Sequence, residues 1–553
     1  MEDFIFGTLS TDDLKLFYHR VARRGVHHAH ELDPPDPEVG KPVRIAVLVG
    51  PDAPVDHVAC YYTLDGSEPA GEHGQAHHGY CRPLERAGLE WDNFTWGYLS
   101  RWEGTLPPLS EGSVVRYRIG AWREGSGPER GKEIFCDWPD VKSSLEEAAR
   151  AFFHHEPAPP AALGDPNTGT TFTYHVDRLQ PPRWARAAVV YHIFVDRFNP
   201  GQGKDWEQTG DLKGFCGGTL WGVAEKLDYI ADLGATCLWL SPIFPSPTSH
   251  GYDATDYERV APRLGGDAAL KALVDEAHRR GLRVVLDLAC SHLSDRHPIF
   301  QDALSNPGSP YRDWFFLDDS SLGQSQGYRA YFGVASMPQI NLAHPGAREW
   351  MFQIARYWLE AFGVDGFRLD HANGPGPSFW SDFWAECKQA NPEAFCFGEI
   401  VEEPSAIRRY LGRMDGALDF HLADAFRRAF AYGSWDADAF DAFLDRHLAY
   451  FNHADFLMLT FLDNHDMDRF CFIASGDKDR LRKAAALQMR LPGPPIVYYG
   501  TEVGLSQTVS KASQVGLEAS RMPMVWGRDQ DAALLEFYKA LIRDRFEAKP
   551  WQK

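Results

Sequence analysis

The residues able to do chemistry in this 553-residue chain stand at the ends of short apolar runs. Arg368-Leu369-Asp370 closes GFRLD, and Gly398-Glu399 closes AFCFGE. Asp463-Asn464-His465-Asp466 closes FLMLTFLDNHD, and RVVLDLACSH carries Asp287 to His292. Two carboxylates flanking a scissile bond suit glycoside hydrolysis: one attacks as the ion, and the other protonates the leaving oxygen. Their surroundings must then push the two pKa values apart. Arg368 lies two residues before Asp370, on the same face of a strand, and a guanidinium there favours the ionised carboxyl. Glu399 has no basic neighbour in sequence, which predicts a neutral acid held among carboxylates. A single strand-end Asp serves as often as a cap or a salt bridge; the expectation rests on the whole set. Two other readings stay open. His292 and His465 with three acids resemble a metal-ligand set. A non-catalytic binding or scaffolding protein is the other.

The elements that must position these groups alternate strand and helix from about residue 186 onward. AVVYHIFVDRF, TCLWLSPIF, RVVLDLA, DGFRLD, AFCFGEIV, ALDF, FLMLTFLDN and PPIVYYG read as eight apolar strands with helical segments between them. Apolar parallel strands with intervening helices argue for an α/β fold, a (β/α)8 barrel over 186–549. Its catalytic groups belong at the C-terminal strand ends, so three carboxylates and two imidazoles face one mouth. An insertion at about 290–346 follows the third strand. Ahead of the barrel, VRIAVLVG, HVACYYTLDG and SVVRYRIGAW alternate as strands and predict a β-sandwich over 41–140. Residues 1–40 read as a leader, and 141–185 as a linker with a short helix in SSLEEAARAFFHH.

The residues then resemble the α-amylase family, glycoside hydrolase family 13. GFRLD is similar to its nucleophile motif, GEI at 398–400 to its acid/base motif, and FLDNHD at 461–466 to its third-carboxylate motif. DLACSH at 287–292, SPIFPSPTSHGYDATDY at 241–257, PGPPIVYYGTE at 492–502 and MPQIN at 337–341 resemble the flanking motifs, the last closing the inserted domain B. The order and spacing of these short patterns carry the likeness. The resemblance implies a retaining hydrolase with Asp370 as nucleophile, Glu399 as acid and then base, and Asp466 holding the distorted sugar. It implies that His292, His465 and Tyr252 bind the sugar before the cleaved bond. Arg368 would bind with them, Asn373 would touch the leaving side, and Asp287 would support the arginine.

Within the family, a β-sandwich before the barrel and DHAN at 370–373 resemble the cyclomaltodextrinase, neopullulanase and maltogenic amylase group. That likeness implies α-1,4-linked maltooligosaccharides, cyclodextrins or starch as substrate, with α-1,6 cleavage or transglycosylation as the alternative. It also implies a homodimer through the N-terminal module, a carbohydrate-binding-like unit. The chain departs from the group at Ser291, at Gly374-Pro375-Gly376, at Val401 and at Gln339-Ile340. Ser291 replaces an Asn that ligates calcium in secreted relatives, so no metal and no cofactor are expected. No C-terminal β-domain of the family's kind fits after the last helix, which ends near Phe546.

Composition narrows the partners. The net charge is −21, which repels a polyanion, so nucleic acid is not expected. No apolar stretch reaches about 18 residues, so no membrane span is expected. Aromatics are 13% of the chain, enough for sugar stacking as well as core packing. Nine scattered cysteines without a CxxC pair, and no secretory signal, point to free thiols and a cytoplasmic location.

Overall fold

The computed structural model describes residues 19, 22–124, 132–139, 166–167, 169–317 except 208 and 210, and 327–552. The helix read in SSLEEAARAFFHH lies outside the described residues.

Alternation of buried and open positions builds the N-terminal sandwich. In Val43–Val49 the residues Val43, Ile45, Val47 and Val49 face the core. In Ser113–Trp122, Val115, Tyr117, Ile119 and Ala121 face it from the other side. The long strand Tyr80–Asp92 pairs with His57–Thr63 through its first residues and with Gly97–Leu106 through its later ones. A register shift between Arg86 and Gly88 marks where it passes from one sheet to the other, the usual work of a β-bulge. The module reaches beyond its expected limits. Val26–His27 and Leu32–Asp33, in the stretch read as a leader, pair with Val43–Val49. Phe172–Val176, in the stretch read as a linker, pairs with residues 113–117.

The barrel strands are β1 Val190–Ile193, β2 Cys237–Leu240, β3 Arg283–Ala289, β4 Gly366–Asp370, β5 Phe395–Gly398, β6 Gly416–Leu418, β7 Leu457–Leu459 and β8 Ile496–Tyr498. They pair in parallel in the order 7-6-5-4-3-2-1-8. A single bridge between Thr460 and Pro495 closes the ring, with the Thr460 amide donating to Pro494 O and the Ile496 amide to Thr460 O. The buried Gln488 amide crosses this joint, giving its protons to Thr460 O (2.9 Å) and Ile496 O (3.1 Å).

Period-2 alternation sorts each strand into two faces. Val190, Trp239, Val285, Phe397, Leu459 and Ile496 fill the barrel interior. Tyr191, Leu238, Leu286, Leu369 and Val497 pack outward against the helices. Helix Gly266–Arg279 shows why those helices form: Ala269, Leu270, Leu273, Val274 and Ala277 make one apolar stripe. Gly281, in the left-handed conformation, then donates its amide to His278 O and ends the helix. Gly366 starts β4 at φ +139°, where a Cβ would lie 2.0 Å from Phe395 O, so no larger residue fits.

The excursion after β3 carries helix Pro298–Ser305 and returns through bridges His292–Gln339, Phe315–Ile340 and Ala330–Pro338. No helix among the described residues is long and apolar enough to cross a membrane.

Candidate active site

Register brings the expected groups together at the C-terminal ends of the strands. Asp287 on β3 lies beside Arg368 on β4, and Leu369 beside Gly398 on β5, so Glu399 emerges next to Asp370. Arg368, fully buried, is the hub. Its Nη1 donates to Asp287 Oδ1 at 2.8 Å and to Asp370 Oδ1 at 2.7 Å. Its Nη2 lies 2.8 Å from Glu399 Oε2. Glu399, without a basic neighbour in sequence, gains one in space: β5 lies alongside β4, and one guanidinium serves both carboxylates.

The electrostatics follow from that sharing. Burial raises the Asp370 carboxyl to about 7, against the pull of Arg368 and with help from Asp287 and Asp466. Burial likewise raises Glu399 to about 7, with Arg368 opposing and Asp370 adding to the rise. Asp287 is pushed to about 6 by burial, with Arg368 again opposing. Burial is the largest cause for both carboxyls and Arg368 opposes it for both, so the two are raised alike. They titrate as a pair.

Asp466 differs. Burial pushes its carboxyl up, but His465, Arg521 and Arg368 outweigh that and hold it well below the usual range. Its Oδ2 meets His465 Nε2 at 3.0 Å, and its Oδ1 accepts from Arg521 Nη2 at 2.8 Å. Tyr252 stacks on His465, with ring centroids 5.6 Å apart. Its hydroxyl donates to Asp287 Oδ2 at 3.0 Å. The Tyr252 oxygen also lies 2.7 Å from His465 Nε2, the same ring nitrogen that faces Asp466 Oδ2.

Burial lowers His292 to about 3, so its ring is neutral. Its Nδ1 meets Ser291 Oγ at 3.0 Å, and its Nε2 has no hydrogen-bond partner among the described residues. Asn373 Nδ2 donates to Glu402 Oε1 at 3.2 Å, close behind the nucleophile position. Asp463 does not join the cluster: it accepts from the Phe470 amide and Thr501 Oγ1. No group of three or more His, Cys, Asp or Glu side chains among the described residues is placed to hold a metal.

Sequence reasoning missed several contributors. Trp239 Nε1 donates to Asp287 Oδ2 at 3.0 Å. Tyr331, from the β3 excursion, stacks on His292 at 4.4 Å and meets His371 edge-on at 4.9 Å. His371 sits at φ +42°, a strained value for a residue with a side chain, and its amide donates to Glu399 Oε2 at 3.1 Å. Arg521 arrives from the loop after β8. His371 lies in the DHAN stretch, and Trp239, on the inward face of β2, was within reach of periodicity; Tyr331 and Arg521 carry no spacing signal.

The profile of the alpha-amylase family, catalytic domain, matches residues 192–543. Alpha-amylase 2 of Dictyoglomus thermophilum is 39% identical over 373 residues, covering 67% of this chain and 65% of that protein. Neopullulanase 2 of Thermoactinomyces vulgaris is 36% identical over 380 residues, covering 66% and 63%. The chain thus spans a little under two thirds of these relatives. A solved cyclomaltodextrinase structure is 27% identical with a TM-score of 0.62, covering 94% of this chain and 84% of that one. With the barrel, the strand-end carboxylates and a profile match over most of its length in accord, the chain belongs to the alpha-amylase family.

Proposed function

We propose that this chain is a retaining α-glucan hydrolase that cleaves α-1,4 bonds in maltooligosaccharides, cyclodextrins or starch. The observation that carries the reading is Arg368 bridging Asp287, Asp370 and Glu399 at one mouth. Asp370 attacks the anomeric carbon and forms a glycosyl ester. Glu399 gives its proton to the departing oxygen, then takes one from the water that releases the sugar. A pair of carboxyls near 7 holds about one proton between them at neutral pH, which is the state this cycle needs. Asp466, ionised, accepts from sugar hydroxyls. The neutral His292, the His465 imidazole and the Tyr252 ring wall the same sugar, and Asn373 stands on the leaving side.

One observation favours a second reading. Val401, two positions beyond Glu399, is 41% exposed, and we place it on the leaving-group side. An acceptor sugar could enter there in place of water, or a branch link could be seated. The deciding experiment is a product time course on β-cyclodextrin, soluble starch and pullulan. Faster attack on cyclodextrin with maltose appearing supports the first reading. Products longer than the substrate, or fast pullulan cleavage, support the second, and inertness toward all three sinks both.

The module and the thiols support two further parts of the proposal. Leu89, Trp91, Trp96 and Tyr98 stand exposed on one hairpin of the sandwich, an apolar surface suited to self-association as a homodimer. Trp96→Ala with Tyr98→Ala would then halve the mass seen by light scattering. All nine cysteines are unpaired thiols, eight of them buried, which suits a reducing cytoplasm.

A further inference from the structure

The loop between β8 and the last helix binds the segment that follows β7. Gln507 Oε1 accepts the Arg469 amide at 2.7 Å. Asp468 accepts from Ser510 Oγ and from the Lys511 amide, each at 2.7 Å. Lys511 Nζ donates to Asp466 O at 3.0 Å, and Ser520 Oγ to His465 O at 3.2 Å. These contacts hold the backbone of 465–469. At the end of the loop, Arg521 reaches the carboxylate itself.

Arg521 is almost closed to solvent: its side chain is 4% exposed, against 32% for Asp466. One edge of the guanidinium reads two adjacent residues, with Nε donating to His465 O at 2.9 Å and Nη2 to Asp466 Oδ1 at 2.8 Å. The other edge meets Glu518 Oε1 at 3.3 Å, and the plane sits 5.3 Å from the Phe194 ring centroid. A planar fork held on three sides has no freedom to follow a moving partner. Asp466 is the softer of the two, a third exposed on a loop, with two side-chain torsions. With His465 on Oδ2 and Arg521 on Oδ1, both torsions are fixed. Arg521 makes no contact with Asp370 or Glu399 among the described residues.

We propose that Arg521 is the positioning residue for Asp466, locking the carboxylate as an ionised acceptor in the orientation the transition state uses. The gain is preorganisation: acceptors aimed before the reaction need no reorganisation during it. The proposal rests on the hydrolase reading above.

The test compares wild type, Arg521→Gln, Arg521→Lys, Asp466→Asn and the Asp466→Asn/Arg521→Gln double variant, all as full chains on maltohexaose. For Arg521→Gln, kcat falls about 10²-fold, the order seen when a group is misplaced by about 1 Å, while KM stays within about threefold. The Asp466 carboxyl, followed by NMR, titrates at a higher pH than in wild type, because it loses a cation. Arg521→Lys restores part of kcat and returns the Asp466 titration toward its wild-type position, since it keeps the charge and loses the fork. The double variant matches Asp466→Asn alone, as expected when one residue acts through the other. A rise in KM at constant kcat would place Arg521 on the sugar and overturn the proposal, as would additive losses in the double variant. If Arg521→Gln fails to fold, a folded Arg521→Lys with wild-type kcat overturns it equally. A wild type inert on every α-glucan would instead sink the hydrolase reading. In that event acid titration decides: Arg521→Gln must still raise the Asp466 carboxyl pKa followed by NMR, and an unmoved value overturns the positioning.

Discussion

Arg368 sits against three carboxylates, and two of them carry the proposed reaction, Asp370 as the nucleophile and Glu399 as the proton carrier. Asp370→Asn removes the attacking oxygen and Glu399→Gln the transferable proton. Each variant should lose at least about 10³-fold in kcat, on the scale of losses when a catalytic group is removed, while retaining the native circular dichroism spectrum; wild-type-like turnover in either would refute the assignment. The pH dependence follows from the pair. Below its range both carboxyls are protonated and the nucleophile is lost; above it both are ionised and the acid is lost. The profile of kcat/KM should therefore be a bell centred near pH 7, and a plateau down to pH 4 would contradict it. Stability carries the opposite cost. Both folded-state values lie above the ordinary carboxylate range, so the folded chain holds protons that the unfolded chain has released, and stability drains away as pH rises from about 4 through 7. Calorimetry of Asp370→Asn should show a melting-temperature gain over wild type that is absent at pH 4 and largest at pH 8. At this scale the sequence was informative where chemistry and period coincide: Arg368 and Asp370 share a face because they are two apart. It was silent on Arg368 reaching Glu399, since that contact depends on which strands lie side by side, and on Arg521, whose loop has no period at all.

Helix Pro377–Ala390 begins just after the nucleophile loop and is held by the N-terminal module. Asp382 on this helix meets His175 Nε2 at 2.8 Å and Arg116 Nη2 at 3.1 Å, both from the sandwich, and also pairs with Arg348 of the neighbouring helix. Ser378 Oγ accepts the Thr173 amide and meets His30 Nε2 at 2.6 Å. Asp382→Asn strands cations in a mostly buried site and should cost about 3–5 kcal/mol, read from urea unfolding of the full chain; a loss below about 1 kcal/mol would mean the module is not gripping the barrel there. The barrel strands were visible because short apolar runs alternate with helical segments along the sequence. The module's outer strands were not. Val26–His27 and Leu32–Asp33 are two residues long, too short for any period, and Phe172–Val176 joins its partner across about fifty intervening residues.

The molecule as a whole carries a net charge of −21, and its proposed substrate is neutral. Steering by charge should then be weak: kcat/KM on maltooligosaccharides should change less than about twofold between 20 and 200 mM salt, a range over which binding to a charged partner would fall steeply. Chelation should also be without effect. With Ser291 beside His292 and no metal-ligand cluster among the described residues, EDTA should leave the melting temperature unchanged, and a clear drop would reveal a cation site elsewhere. The ring of eight strands has a further property. Seven of its joints are ladders; the eighth, between β7 and β8, is the lone Thr460–Pro495 bridge and the Gln488 clip. Thermal breathing should begin at that clasp, with the Thr460 and Ile496 amides exchanging with deuterium before those of β3 and β4. Asp466 and Arg521 straddle the same gap, so a slowly heated sample would be expected to fall silent as a catalyst some degrees before the barrel melts.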